Sequence, residues 1–327
     1  MNVSIRLVAR LLVIGASAGL GARPAVVQST ERLTVPVLVL RADGAAVTGL
    51  DASDFSVREG DRERRVASVD DGVPASLLLL LDTSASVSTH DGLGIAVDST
   101  ALRFGQPPGR RGADGGVLER AVRRGFVDLL RVADRADVRN LEDREPRGLT
   151  NDKATLLAVA RRAIDVPDSR RYGPSPIWDA TIDAIRILGA EPMPRALILW
   201  TDGEATGNVY SSTDARQAAI DAGVSIHVVS EATVRRALQS ATTEITIDAR
   251  HRLRDVAEAT GGLYLEDTGR SRDPEPLFAR IVSAAQRGYR VTFADDSGDA
   301  RQLELNVTVR EPGANVHAPR WVRRHGR

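Results

Sequence analysis

The chain contains no cysteine and, apart from Lys153, no lysine among its 327 residues. The absence of cysteine excludes disulfide bonds, thiolate metal ligands and a cysteine nucleophile, so the fold must be held by packing alone. Aromatic residues make up only 4% of the sequence, whereas 42% is hydrophobic and 27% is charged, as in ordinary soluble globular proteins. Lys and Arg together number 44, as do Asp and Glu. No net charge therefore attracts nucleic acid or an anionic membrane surface.

The first residues have the pattern of an export signal. Arg6 and Arg10 precede a short apolar core at residues 11–21, and small residues accompany it. We expect residues 1–25 to be a signal peptide and the mature protein to be secreted or periplasmic, with an uncleaved anchor as the alternative. The core is too short to span a bilayer comfortably, and no later segment is long and apolar enough to do so.

The middle of the chain alternates between long apolar runs and helix-length amphipathic segments. The runs ASLLLLLD (75–82) and RALILWTDG (195–203) are of strand length and almost uninterrupted. Such runs are typical of strands whose two sheet faces are both covered by helices. Strands that alternate with helices imply right-handed crossovers between parallel strands. The predicted fold class is therefore α/β, with a doubly wound, mostly parallel sheet.

Segments rich in β patterns flank this region on both sides. Because the two ends of a domain often lie close together, we predict that the flanks form one small β-domain into which the α/β domain is inserted. Two unrelated β extensions are the alternative. The predicted order is a signal peptide (1–25), an N-terminal β segment (30–72), an α/β domain (73–287) with a long loop (89–116), a C-terminal β segment (288–312) and a basic tail (313–327).

One predicted strand of the α/β domain is unusually polar. The segment DRADVRNLED (134–143) occupies the place of the second strand and carries Asp137, Arg139 and Asn140. A central strand buried on both faces would not carry these side chains. We therefore expect an edge strand or a poorly formed one.

Both long apolar runs end in an aspartate, Asp82 in the first and Asp202 in the second. Ligands of an open α/β sheet bind outside the carboxyl ends of its strands. We therefore expect the two carboxylates to face one crevice, together with hydroxyls such as Ser84 and Thr201. Oxygen ligands of this kind suit Mg²⁺, Mn²⁺ or Ca²⁺ and fit zinc or copper poorly. A bound cation would also compensate for the burial of a carboxylate beside apolar surface.

The stretch DTSAS, which begins at Asp82, resembles a known motif. It is similar to the Asp-x-Ser-x-Ser motif of the von Willebrand factor A domain, which forms a metal-ion-dependent adhesion site (MIDAS). The resemblance implies that Asp82, Ser84 and Ser86 are metal ligands from a first loop. It also implies a ligand from a second loop, Ser175, and one from a third loop, Asp202.

The resemblance extends along most of the mature chain. Residues 49–69 and 253–267 are similar to segments of secreted bacterial proteins related to the von Willebrand factor A family. The second loop is the weaker match, because GPSPIWDA (173–180) has Ser175 where the family usually has threonine. A serine still offers a hydroxyl ligand.

The resemblance implies a binding module and no enzyme, with a protein partner that supplies an Asp or Glu to the bound cation. Two other interpretations stay open. A metal-dependent hydrolase is one, because Mg²⁺ at the edge of a sheet can also activate water or phosphate, although the sequence shows neither a general base near the motif nor a phosphate-binding glycine loop. A structural envelope protein with a vestigial metal site is the other. DTSAS would then be a strand-to-helix loop whose hydroxyls cap a helix.

Overall fold

The computed structural model of the chain describes residues 31–84, 87, 114–167, 173–231, 243–267, 273–295 and 301–324. Its strands are, in chain order, β1 (Glu31–Leu40), β2 (Phe55–Glu59), β3 (Arg62–Arg64), β4 (Val66–Asp70), β5 (Ser76–Leu81), β6 (Arg135–Asn140), β7 (Arg195–Thr201), β8 (Val224–Glu231), β9 (Tyr264–Asp267), β10 (Tyr289–Asp295), β11 (Gln302–Val309), β12 (Asn315–His317) and β13 (Trp321–Arg323). Its helices are α1 (Asp114–Gly125), α2 (Lys153–Ile164), α3 (Ile177–Gly189), α4 (Ser212–Ala222), α5 (Thr243–Ala259) and α6 (Glu275–Gln286), with a short 3₁₀ helix at Val127–Leu129.

A five-stranded sheet in the order β6-β5-β7-β8-β9 forms the centre of the α/β domain, and every neighbouring pair is parallel. The leucine run is strand β5, and all of its residues are buried. Leu77, Leu79 and Leu81 pack with residues of α1, α2 and α6 on one face, whereas Leu78 and Leu80 pack with α3, α4 and α5 on the other. Burial on both faces explains why this strand lacks polar alternation. The predicted doubly wound α/β fold is confirmed.

The two flanks of the chain pair with each other to form a small β-domain. Strand β1 pairs with β10 in a register that places Val35 opposite Val291, and β10 pairs in turn with β4. In the second antiparallel sheet, β11 pairs with β2. Apolar side chains of both sheets, among them Val57 and Phe293, share one buried core. Because each of the two sheets pairs strands of both flanks, the alternative of two unrelated extensions is wrong.

Strand β1 joins the β-domain to the α/β domain. Val35, Val37 and Val39 lie in the core of the β-domain, while Leu38 and Leu40 lie in the core beside the parallel sheet. Successive side chains of a strand point to opposite faces, so a single strand contributes to both cores. The two domains are therefore held together by packing as well as by the chain.

The prediction of a basic tail at residues 313–327 is wrong for most of its length. Strand β12 pairs with β1, and strand β13 pairs with β11, so both belong to the β-domain. Val316 and Val322 pack against the core of that domain, and Arg324 is only 8% exposed. The basic residues dominate the sequence pattern here, whereas the few apolar side chains between them determine the structure.

Two further predictions fall partly or wholly outside the described residues. The predicted signal peptide (1–25) lies outside them, as do residues 89–113 of the predicted loop (89–116). The end of that loop is corrected, because α1 begins at Asp114. In the part of the chain that is described, no helix combines the length and apolar character needed to cross a bilayer.

Strand β6 is an edge strand, as its polar sequence indicated, and arginine side chains cover its outer edge. Arg139 is 5% exposed and donates from Nε to Asp137 Oδ2 at 2.7 Å. Its terminal nitrogens donate to the carbonyl oxygens of Glu145 and Arg147. Arg147 in turn donates to the carbonyl oxygen of Val138 at 3.0 Å. The Arg147 guanidinium thus bonds a backbone oxygen of β6 that another strand would otherwise bond, and Arg139 ties the following loop to this edge.

A buried ion pair between Arg324 and Asp295 joins strand β10 to the residue after β13, and we expect its loss to lower the stability of the fold. Arg324 Nη2 donates to Asp295 Oδ1 at 2.7 Å, and Nε lies 2.5 Å from Oδ2. Arg324→Ala should lower the free energy of unfolding by about 3–5 kcal/mol, because Asp295 stays buried without this counter-ion. Urea denaturation measures the change.

The neighbouring residue provides a matched control. Arg323 pairs with Asp221 at 3.3 Å, but both side chains are substantially exposed. Arg323→Ala should therefore lower stability by less than about 1 kcal/mol. Similar losses for the two variants would contradict the prediction for Arg324.

Candidate metal-binding site

The two aspartates that end the apolar runs lie at the carboxyl ends of neighbouring strands. Strands β5 and β7 pair in parallel with Leu81 opposite Trp200, and the Asp82 backbone N–H donates to Trp200 O at 2.9 Å. Asp82 is 0% exposed and Asp202 is 1% exposed. Both carboxylates are thus buried at the edge of the sheet where ligands of α/β proteins bind.

Hydrogen bonds fix the direction of both carboxylates. Thr201 Oγ1 donates to Asp82 Oδ2 at 2.7 Å, and the backbone N–H of Ser84 donates to Asp82 Oδ1 at 3.1 Å. The backbone N–H of Glu204 donates to Asp202 Oδ1 at 2.9 Å. The loop after β5 is thereby bonded directly to the end of β7.

The electrostatic environment of Asp82 opposes its ionisation. Burial raises the pKa of Asp82 to about 6, and the negative charge of Asp202 adds to the increase. Hydrogen bonds from Ser84 and Thr201 act in the opposite direction. Two carboxylates are therefore held together where their charges repel each other. A divalent cation bound by both would offset this repulsion and the loss of hydration.

The loop that carries Ser175 is attached to the loop that follows Asp202. Ser175 is 5% exposed; its backbone N–H donates to Thr206 Oγ1 at 2.8 Å, and its carbonyl oxygen accepts from the Thr206 N–H at 2.9 Å. Gly207 has φ +68°, and a Cβ at this position would lie 2.7 Å from Pro174 Cβ. Only glycine allows both this backbone conformation and this close approach.

The same third loop also binds the start of helix α3. Asn208 Oδ1 accepts from the Trp178 N–H at 2.8 Å, and the Asp179 carboxylate accepts from the N–H groups of Val209 and Tyr210 at 3.0 and 2.9 Å. Trp178 itself is 5% exposed and packs in the core beside the sheet. The second and third loops therefore form one hydrogen-bonded unit at the edge of the sheet.

The structure places four of the five predicted metal ligands. Asp82 and Asp202 are buried together, Ser84 bonds Asp82, and Ser175 lies on the loop bonded to the one that follows Asp202. Ser86 lies outside the described residues. The assignment of these residues as metal ligands stays a prediction.

The donor atoms of this set fit a hard divalent cation. Carboxylates and hydroxyls are the oxygen ligands that Mg²⁺ and Ca²⁺ prefer. Among the described residues, no three Asp, Glu or His side chains form a group that could hold a metal ion by themselves. Ser84 and Pro174 line the same small cavity, of about 20 Å³, which shows that the first and second loops approach each other.

Two threonines contact the site residues: Thr201, which the sequence placed among the hydroxyls of the crevice without naming its partner, and Thr206, to which the sequence assigned no role. The contact of Thr201 with Asp82 follows from the strand register. Leu81 lies opposite Trp200, and Asp82 and Thr201 are the residues that follow them. Aligning the ends of the two apolar runs would have indicated it. No sequence pattern indicates the contact of Thr206 with Ser175, because this contact depends on the path of the loop after Asp202.

The raised pKa of Asp82 predicts the effect of pH on the metal-free protein. Below the unfolded-state pKa of 3.8, Asp82 is neutral in both states and its contribution to stability is fully present. As the pH rises through the folded-state pKa of about 6, that contribution is lost, and we expect stability to fall by about 3 kcal/mol. Asp82→Asn should remove this fall. Urea unfolding with chelator, between about pH 4 and about pH 7, measures it.

The difference between wild type and variant isolates Asp82 from other titrating groups. His227, for example, is buried, and burial lowers its pKa to about 3, but it titrates in the same way in both proteins. A stability difference that stays constant across this pH range would contradict the prediction.

Comparisons with known proteins give weak resemblances to solved structures. No family model and no curated protein matches the chain. Proximal thread matrix protein 1 from the mussel byssus is 13% identical, with a TM-score of 0.45, over 80% of this chain and 50% of that protein. The chain thus spans about half the length of the mussel protein.

Two other solved structures resemble a smaller part of the chain. Protein BatB from Bacteroides thetaiotaomicron is 16% identical, with a TM-score of 0.42, over 65% of this chain and 100% of that one. The SpRpn10 VWA domain is 14% identical, with a TM-score of 0.35, over 64% of this chain and 94% of that one. The structural neighbours of the chain thus include von Willebrand factor A domains, and its own strand order and helix layers confirm the predicted α/β fold.

Proposed function

We propose that the chain is a binding module that engages a protein partner through a divalent cation. The cation, Mg²⁺ or alternatively Mn²⁺ or Ca²⁺, would be held by Asp82, Ser84, Ser86, Ser175 and Asp202. The observation that carries the proposal is the pair of buried aspartates at the ends of two neighbouring strands. Ionised carboxylates buried side by side are unfavourable, and a bound cation would compensate for both their mutual repulsion and their lost hydration.

The contacts of each side chain suggest how the ligands divide their roles. Both oxygens of Asp82 accept hydrogen bonds, from Ser84 and Thr201, and one oxygen of Asp202 accepts a backbone hydrogen bond. The aspartates would therefore supply negative charge to the site, while the hydroxyls of Ser84 and Ser175 would supply neutral oxygen ligands. A cation with neutral ligands attracts a further carboxylate strongly, and we expect an Asp or Glu of the partner to provide it.

We also propose that this module acts outside the cytoplasm, as a secreted or periplasmic protein. The support is the charged and apolar pattern of residues 1–25, which lie outside the described part of the chain. Cell fractionation of the full-length chain, followed by N-terminal sequencing of the exported form, tests this. Retention in the cytoplasm at full length would contradict it.

Calorimetric titration of the full-length chain with Mg²⁺ and with Mn²⁺ tests the metal site. We expect the wild type to bind both ions. Asp82→Asn and Asp202→Asn should each weaken the affinity by about tenfold or more, because each variant removes a negative charge from the site. Ser86→Ala and Ser175→Ala test the hydroxyl ligands in the same way.

Asp134→Asn is the matched control for the aspartate variants. Asp134 is also 0% exposed, but it accepts hydrogen bonds from the N–H groups of Ala75 and Arg131 and from the Gln286 side chain. It precedes strand β6 and so lies at the opposite, amino edge of the sheet. Its replacement should reduce stability and leave metal affinity unchanged. An equal loss of affinity in this variant would show that the aspartate variants act through general destabilisation.

The same experiment distinguishes the alternative functions. Metal binding without hydrolysis of phosphate esters or peptides supports the binding module. Metal-dependent turnover would favour a hydrolase instead. A wild-type chain that binds neither Mg²⁺ nor Mn²⁺ would contradict the proposal and favour a structural protein with a vestigial site.

A further inference from the structure

We infer that Thr201 is a positioning residue for the proposed metal site, whose hydroxyl holds the Asp82 carboxylate in the direction that serves the cation. The inference rests on the proposed function. Thr201 is not among the predicted ligands, and its contact with Asp82 links the loops after β5 and β7.

The hydroxyl of Thr201 is fully committed to this link. Thr201 is 0% exposed, and its Oγ1 donates to Asp82 Oδ2 at 2.7 Å and accepts from the Gly203 N–H at 3.0 Å. A hydroxyl can donate only one hydrogen bond, and that of Thr201 donates it to the Asp82 carboxylate. The branched side chain of threonine has few rotamers, so the direction of the hydroxyl follows from the backbone of strand β7.

The other end of the link is also rigid. Gly203 has φ +82°, and a Cβ at this position would lie 2.8 Å from Leu253 Cδ1 and 3.3 Å from Ala249 Cβ. The turn that donates to Thr201 is therefore packed tightly against helix α5. Asp202 lies between Thr201 and Gly203 in the chain, so the same turn sets the direction of the second carboxylate.

The consequence is that both oxygens of Asp82 are held before any ligand binds. Oδ1 is bonded by the Ser84 N–H and Oδ2 by Thr201. Residues that orient a metal ligand by hydrogen bonding typically change metal affinity by about tenfold to hundredfold when they are replaced. A loss of this size is expected when the hydroxyl of Thr201 is removed.

The test compares Thr201→Val with Thr201→Ser by calorimetric titration of the full-length chain with Mg²⁺ and Mn²⁺. Valine keeps the shape of threonine and removes the hydroxyl, so we expect affinity to fall by about tenfold or more. Serine keeps the hydroxyl, so we expect affinity within about threefold of the wild type. Rescue by serine separates positioning from simple loss of packing.

Thr181→Val is the matched control. Thr181 is a 0% exposed threonine of helix α3, and within the described residues its hydroxyl has no hydrogen-bond partner. The same chemical change at this site should leave metal affinity unchanged. Thermal unfolding checks that each variant is folded. If Thr201→Val does not fold, Thr201→Ala, which leaves room for a bridging water, takes its place in the comparison.

The outcomes separate this inference from the proposed function. Metal binding by the wild type with equal or tighter binding by Thr201→Val would overturn the inference and leave the proposed function intact. A loss that is as large in Thr201→Ser would also overturn it, because the hydroxyl would not be the cause. A wild-type chain that binds neither metal would overturn both.

Discussion

The carboxylate of Asp82 lies where strand β5 leaves the hydrophobic core, and it is as buried as the leucines before it. A charge in this position is unfavourable unless it is bonded or compensated. The neighbouring strand β7 supplies one bond through Thr201, but it also brings a second buried carboxylate, Asp202, which makes ionisation harder. The parallel pairing that builds the core therefore also creates an excess of negative charge at its edge. A cation site is the simplest arrangement that would offset it.

The β-domain matters to this edge because it fixes the sheet on which the edge is built. Strand β1 pairs with β10, and the hydroxyls of Thr34 and Thr292 meet at 2.9 Å although 258 positions separate them. The same strand places Leu38 and Leu40 in the core beside the parallel sheet. Contacts of such long sequence separation slow folding. In the folded chain, strand β1 packs against one side of the α/β domain, away from the loops at the carboxyl ends of its strands.

Much of the fold could be predicted from the sequence because the apolar pattern is strong. The leucine run before Asp82 is explained by burial on both faces, and the paired flanks by strand patterns at both ends. The covered edge of strand β6 could not be predicted, because the bonds from Arg139 and Arg147 to backbone oxygens depend on the path of the loop after β6. The prediction of a basic tail rests on its charged residues, whereas the pairing of strand β12 with β1 depends on the completed β-domain.

In the candidate site, too, some residues could be placed from the sequence and others could not. Asp82 and Asp202 could be placed from the sequence, since each ends an apolar run and strand ends meet at one edge. Ser175 is the weakest match among the predicted ligands, because the resemblance implies a threonine at this position. The structure holds this residue from its backbone: Thr206 bonds both the N–H and the carbonyl oxygen of Ser175. Fixing the backbone at this point limits where the hydroxyl can lie. This restraint acts on the backbone, not on the side-chain torsion of Ser175, and a serine hydroxyl is compatible with the predicted role.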